Sequence, residues 1–176
     1  MTETAEPAYL SALVRHFSDL RDDRHGGVTS RQDKEAVFAD TVRLLDPVAR
    51  QALTELNEVL LLDTGTVSAS GLLTQPDASQ LAAWSLSWPE QRQAGIQPVL
   101  IQAHYGSGFH HPHLRGGTVS DWPLNVFSPD QAAAELPTLR AIIAADLHNL
   151  VFQADHRIVP AIHRGQAFSH LRPDIG

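Results

Sequence analysis

The sequence predicts an α+β fold, with a curved antiparallel sheet or partial β-barrel flanked by N-terminal helices and by one long helix in the C-terminal half. Apolar residues recur at helical spacing in the first third, alternate with polar residues in the middle, and return to helical spacing after residue 127. We expect one domain, since 176 residues can bury a single core and neither a linker nor a repeat divides them. Within residues 1–176 we expect 1–57 to be mainly helical, 58–127 mainly antiparallel strands, 128–153 helical, and 154–176 a mixed tail.

The N-terminal part predicts three short helices before Asn57. The first has one apolar stripe at helical spacing, the face that a helix turns toward a core, and a glycine pair ends it. This stripe consists of Leu10, Leu13, Val14, Phe17 and Leu20. Ser30 caps the second helix, and the third restarts at Asp46 with Pro47 at its first helical position.

The middle of the chain predicts strands. "EVLLLDTGTVSASGLL", residues 58–73, is rich in β-formers and predicts a hairpin with its turn at Asp63–Gly65. In "AAWSLSWPEQ", Trp84, Leu86 and Trp88 share one face because side chains alternate along a strand. "IQPVLIQAHY" and "DWPLNVF" follow as two further strands.

The C-terminal part predicts helices and one strand. "SPDQAAAE" begins a helix with Ser128 as N-cap, and Pro137 breaks or kinks it. A longer helix runs from about Thr138 to Gln153, and "RIVPAIH" in the tail predicts a short strand.

Composition narrows the class of protein. A net charge of −7 argues against a nucleic-acid or anionic-membrane partner, and no apolar run approaches the roughly 18 residues of a membrane helix. The first residues are polar and acidic, and the chain contains no Cys, so we expect a cytoplasmic protein without disulfides. The expected partner is a small-molecule substrate or ligand, and the sequence leaves room for a homo-oligomer.

A histidine-rich stretch, "AHYGSGFHHPHLRGG" at residues 103–117, predicts a metal site. In an extended backbone His111 and His113 point to the same side and His110 to the other. Imidazole is a donor that Zn²⁺, Fe²⁺, Cu²⁺ and Ni²⁺ accept. We expect a divalent metal, Zn²⁺ or Fe²⁺ first, bound by His111, His113 and His104. Asp121, His163 and Asp146 are the other candidates for the third ligand. The alternatives are a solvated turn without function and a metal-free pocket in which the histidines act as acid, base or hydrogen-bond donor.

Asp146 and Arg115 complete the predicted catalytic set with His104. Asp146 falls within the apolar stripe of its helix, and a carboxylate aimed at a core must be paired, protonated or metal-bound. A structural ion pair to Arg140 or Arg157 is the alternative. Arg115 could hold an acidic group of a substrate through its guanidinium fork.

Two short stretches resemble known motifs. "GSGFHHPH" resembles the first motif of the cupin family, and this resemblance implies metal binding by His111 and His113. It covers about a dozen residues; no Glu follows His113 at the expected distance, and a helix is predicted where the second motif would stand, so we assign no family. "LLLDTGTVS" is similar to the aspartic-protease signature around Asp63, but no second such segment is present, and D-T-G is also an ordinary turn.

These observations favour a small metal-dependent enzyme that acts on a small, acidic organic molecule. One alternative is a non-catalytic protein that binds a small molecule in a cavity lined by Trp84, Trp88 and Trp122. Another is a protein with non-covalently bound haem and one histidine as axial ligand.

Overall fold

The computed structural model of the chain describes residues 6–164. Within this range lie six α-helices, five strands and one 3-10 turn at His156–Ile158. The helices are α1 (Ala8–Arg21), α2 (Arg31–Leu60), α3 (Pro89–Gln93), α4 (Pro129–Ala134), α5 (Leu136–Gln153) and α6 (Pro160–His163). The strands are β1 (Thr66–Thr74), β2 (Gln80–Ser87), β3 (Val99–Tyr105), β4 (His113–Gly116) and β5 (Trp122–Pro123).

The five strands form one antiparallel sheet in the order β1-β2-β3-β4-β5. This confirms the predicted α+β class with a curved antiparallel sheet; the sheet is open and does not close into a barrel. A bulge shifts the register of β1 against β2 between Ala69 and Leu72, and such an extra residue bends a strand. Within residues 6–164, no helix combines the length and hydropathy of a membrane span.

The core lies between the sheet and the helices α2 and α5. Alternation along β2 and β3 is confirmed, because Trp84, Leu86 and Ile101 are all buried on the helix side. The residues between them lie on the opposite side of the sheet and are half-exposed. We call this second side the outer face; it carries His104, and also His113, the residue opposite His104 on β4.

The predicted break at Asp46 and Pro47 is wrong, because α2 is one continuous helix of 30 residues with Pro47 inside it. Pro47 lacks the N–H that would reach the Arg43 carbonyl, but both residues are exposed, so water can solvate that carbonyl. The side chain of Asp46 does not cap a helix; it accepts hydrogen bonds from the indole of Trp84 at 2.9 Å and from Arg50. The free energy gained by burying apolar side chains of α2 before and after Pro47 therefore outweighs the loss of one helical hydrogen bond.

The predicted hairpin turn at Asp63–Gly65 is also wrong, because this turn connects α2 to β1. Val59 and Leu60 lie in the last turn of α2 and Leu61 is its C-cap, while Leu62 and Asp63 adopt positive φ values of 54° and 59°. Asn57 stabilises the connection by accepting a hydrogen bond from the Gly65 N–H at 2.8 Å. The hairpin joins β1 to β2 instead, where Asp77 accepts from the N–H and hydroxyl of Ser79.

The C-terminal part follows the prediction in its caps and departs from it in its strands. The Ser128 side chain accepts from the Gln131 N–H, as expected of an N-cap. The longer helix begins at Leu136, since Pro137 fits its first turn. The segment at 157–163 forms the 3-10 turn and α6, so the predicted strand there is wrong. The predicted strand at 121–127 shrinks to the two residues of β5.

Helix α1 presents most of its apolar stripe to solvent, contrary to the orientation expected from the sequence; of the stripe, Leu13 alone is half-buried. The exposed fractions of Val14 and Phe17 are 58% and 59%, whereas His16 is only 7% exposed. Polar contacts fix this orientation: Arg15 donates to the Asn125 carbonyl at 3.1 Å, and Asp19 accepts from the Gly26 N–H at 3.2 Å. The polar side of α1 therefore faces the domain.

Candidate functional site

Three imidazole rings from different parts of the fold pack against one another. The ring centroids of His16 and His111 are 4.3 Å apart, and those of His111 and His113 are 4.5 Å apart. His16 comes from α1, His111 from the loop before β4, and His113 from the first position of β4. We call these three residues the imidazole cluster.

The loop that carries His111 is anchored at both ends. At its start, the Arg31 guanidinium donates to the carbonyls of Gly106 at 2.9 Å and Phe109 at 3.3 Å. At its end, Pro112 is buried, and its carbonyl accepts from the Leu124 N–H at 3.1 Å. These contacts hold the histidine-rich segment against the sheet.

Burial keeps the imidazole cluster neutral at pH 7. Burial, the largest cause, and the neighbouring rings of His16 and His113 together lower the pKa of His111 to about 4. Burial also lowers the pKa of His16 and of His113, although the charge of Asp121 opposes this effect at His113. The buried Nδ1 of His111 has no hydrogen-bond partner within the described part of the chain. The cluster therefore presents neutral imidazole nitrogens, the form in which histidine donates an electron pair to a metal ion.

His104 lies beside the cluster on the outer face. It is the direct cross-strand neighbour of His113, and the ring of Phe109 contacts both, with centroid distances of 6.4 Å to His104 and 5.4 Å to His113. Burial lowers the pKa of His104, and the charge of Arg115 adds to this. His113 therefore lies between His104, its cross-strand neighbour, and His111, whose ring packs against it. Between residues 6 and 164, however, no group of three or more His, Cys, Asp or Glu side chains is arranged to hold a metal ion as it stands.

Arg115 follows His113 by two residues on β4 and so lies on the same face of the sheet. Its Nε donates to the Gln102 side chain at 2.7 Å. Both residues line a hollow of about 510 Å³, together with Asp121 and the loop 116–120. Because Asp121 also lies close enough to affect His104 and His113, this hollow adjoins the histidines.

Asp146 is fully buried and holds two segments of the hollow together. Its carboxylate accepts from the Leu100 N–H at 2.9 Å, and from the N–H and hydroxyl of Thr118 at 2.7 and 2.6 Å. The alternative ion pairs do not form, because Arg140 pairs with Glu55 and Arg157 with Asp155. The structure therefore places Asp146 behind the wall of the hollow, where it positions the backbone.

The other candidates lie in different places. Asp121 is exposed at the rim of the hollow, whereas His163 lies in α6 and lines a separate hollow with Glu90. Two of the three tryptophans belong to the core, since Trp84 and Trp88 are 1% and 0% exposed. Trp122 is half-buried and lines an apolar groove.

Sequence reasoning missed His16. It lies on the flank of an amphipathic helix, and nothing in the local pattern of α1 indicates a contact with a segment almost a hundred residues later. The one feature of the sequence that could have indicated it is its position at the border of the polar side of α1, the side that faces the domain.

Comparisons with protein-family models, with curated proteins and with solved structures found no match for this chain.

Proposed function

We propose that this protein is a metal-dependent enzyme that binds a divalent transition metal at the imidazole cluster and acts on a small, acidic organic molecule. One observation carries the proposal: three buried or half-buried imidazoles, His16, His111 and His113, meet in one place. The proposal keeps His111 and His113 as ligands and adds His16 as the third, with His104 beside them.

The protonation state of the cluster supports metal binding. A transition metal binds only the neutral form of imidazole, and the lowered pKa values keep all three rings in that form at pH 7. The buried Nδ1 of His111 lacks a partner within residues 6–164, and such a group costs about 1–3 kcal/mol. The rings lie against each other, so binding would require each side chain to turn one nitrogen toward a common centre.

The proposed substrate follows from Arg115. Its guanidinium lies on the same face as His113, in the hollow of about 510 Å³, and a planar fork of donors suits a carboxylate or phosphate. Gln102 holds the Arg115 side chain in place through the 2.7 Å hydrogen bond. A bound Zn²⁺ or Fe²⁺ would supply Lewis acidity or an activated water next to this group.

Cobalt titration tests the metal site. We expect untagged protein to bind one equivalent of Co²⁺ with visible ligand-field absorption, and the His111→Ala/His113→Ala variant to lose it. His16→Ala should weaken binding by at least about 100-fold, because even the residues that support a ligand contribute 10–100-fold. His110→Ala is the matched control, since His110 lies in the same loop but its side chain is 79% exposed.

Two results would overturn the proposal. One is a folded wild-type protein that binds no Co²⁺, Zn²⁺ or Fe²⁺. The other is binding that His110→Ala weakens as much as the His111→Ala/His113→Ala variant does, since the ion would then bind elsewhere. An intense Soret absorption in the protein as purified would favour the haem alternative instead.

A further inference from the structure

An apolar groove lies between α1, β5 and the start of α5, and it is lined by other residues than the imidazole cluster. Its volume is about 430 Å³, and its walls include Tyr9 and Leu13 of α1, Trp122 and Pro123 of β5, and Pro137 of α5. We call it the aromatic groove. Its size matches that of pockets for small organic molecules.

One carboxylate of the described residues lines this groove. Glu135 immediately precedes α5, is only 8% exposed, and forms no ion pair within residues 6–164. Burial raises its pKa above the usual value, and a hydrogen bond from Thr138 and the charge of Arg15 offset only part of this rise. Arg15 itself is engaged with the Asn125 carbonyl at 3.1 Å. The carboxylate therefore lies in an apolar groove without a cation in contact.

These walls discriminate between classes of ligand. An anion would be repelled by Glu135, and a neutral apolar ligand would bury the carboxylate further without supplying a cation, which is costly. A metal ion needs several oxygen ligands, and Glu135 is the single carboxylate that lines the groove. An organic cation would satisfy the carboxylate and lie against the face of an indole ring.

We propose that the aromatic groove binds a small organic cation, an alkylammonium or quaternary ammonium compound, with its charged head between Glu135 and Trp122. Tyr9 and Leu13 cover its apolar part from the side of α1. The proposal does not require a metal ion at the imidazole cluster, because none of the residues that line the groove belongs to that cluster.

Choline and its neutral isostere 3,3-dimethylbutan-1-ol provide the test. Binding to the full chain is measured by calorimetry and by the change in tryptophan fluorescence, which we assign to Trp122 because Trp84 and Trp88 are buried and do not line the groove. We expect choline to bind at least about 10-fold more tightly than the alcohol, as a desolvated cation–π contact with a carboxylate nearby implies. Glu135→Gln should reduce this preference, and Trp122→Leu should weaken choline binding.

Two further variants keep the test decisive. Asp130→Asn removes an exposed acid from the neighbouring α4 and should leave choline binding unchanged. Tyr9→Ala changes a side chain that is 63% exposed, so the fold should tolerate it while choline binding falls. Equal binding of choline and the alcohol, no saturable binding of choline, or an unchanged preference in a folded Glu135→Gln variant would each refute the proposal.

Discussion

His25 makes the stability of this protein depend on pH. It lies between α1 and α2, is 0% exposed, and packs its ring edge-on against Phe127 at 4.9 Å. Neither ring nitrogen has a hydrogen-bond partner within residues 6–164. Burial, the largest cause, lowers its pKa from 6.5 to about 4. The folded protein therefore requires His25 to be neutral.

The size of the effect follows from these two pKa values. Because the folded-state pKa lies below the unfolded-state value, protons bind preferentially to the unfolded chain. The contribution of neutral His25 is complete above pH 6.5 and is lost as the pH falls from 6.5 toward 4. At pH 5 the resulting loss in the free energy of unfolding is about 2 kcal/mol.

Urea denaturation of the wild type and of His25→Leu at pH 7 and pH 5 measures this loss. Leucine has a similar volume and no polar atoms, so the variant should be at least as stable at pH 7 and should lose about 2 kcal/mol less than the wild type on acidification. His148→Leu, which removes an exposed histidine, should keep the full wild-type loss. An equal acid-induced loss in His25→Leu and the wild type would refute the reasoning.

Three further predictions follow from the fold. Pro47→Ala should raise the free energy of unfolding by about 1–3 kcal/mol in thermal or urea denaturation, since it restores a helical hydrogen bond in α2; a lower stability would contradict this. Asp146→Ala should lower it by roughly 3 kcal/mol, because Leu100 and Thr118 lose their acceptor; a loss below about 1 kcal/mol would mean that water replaces the carboxylate. Phe17→Ser should change stability by less than about 1 kcal/mol, whereas a core phenylalanine would cost about 3–5 kcal/mol, so a large loss would show that the stripe of α1 is covered.

Local sequence patterns correctly predicted the elements that are specified by the period of their apolar residues or by a capping residue. Alternation placed Trp84 and Leu86 in the core, and hydroxyl caps located the starts of α2 and α4 at Ser30 and Ser128. The predicted helix break at Pro47 was wrong because proline disfavours a helix only locally. Tertiary packing of α2 on both sides of Pro47 outweighs that cost. Short apolar runs are ambiguous for the same reason, since the end of α2 has the composition of a strand.

The candidate site was predictable only where it depends on neighbouring positions in one segment. Residue spacing placed His111 and His113 together, and their ring centroids are 4.5 Å apart. The pairing of His104 with His113 depends on the register between β3 and β4, which the sequence does not specify. The contact of His16 depends on the orientation of α1, and that orientation is set by hydrogen bonds to distant loops.

The orientation of α1 also links the two proposed sites energetically. A helix with its apolar stripe in solvent and polar contacts beneath it should detach at a lower free energy than α2 or α5, and its amide hydrogens should exchange sooner. His16 belongs to the imidazole cluster, and Tyr9 and Leu13 belong to the aromatic groove, so both sites are complete only while α1 is docked. Each ligand would then bind with an affinity reduced by the docked fraction, and each would raise that fraction for the other. Binding at either site should therefore slow hydrogen exchange along the whole of α1.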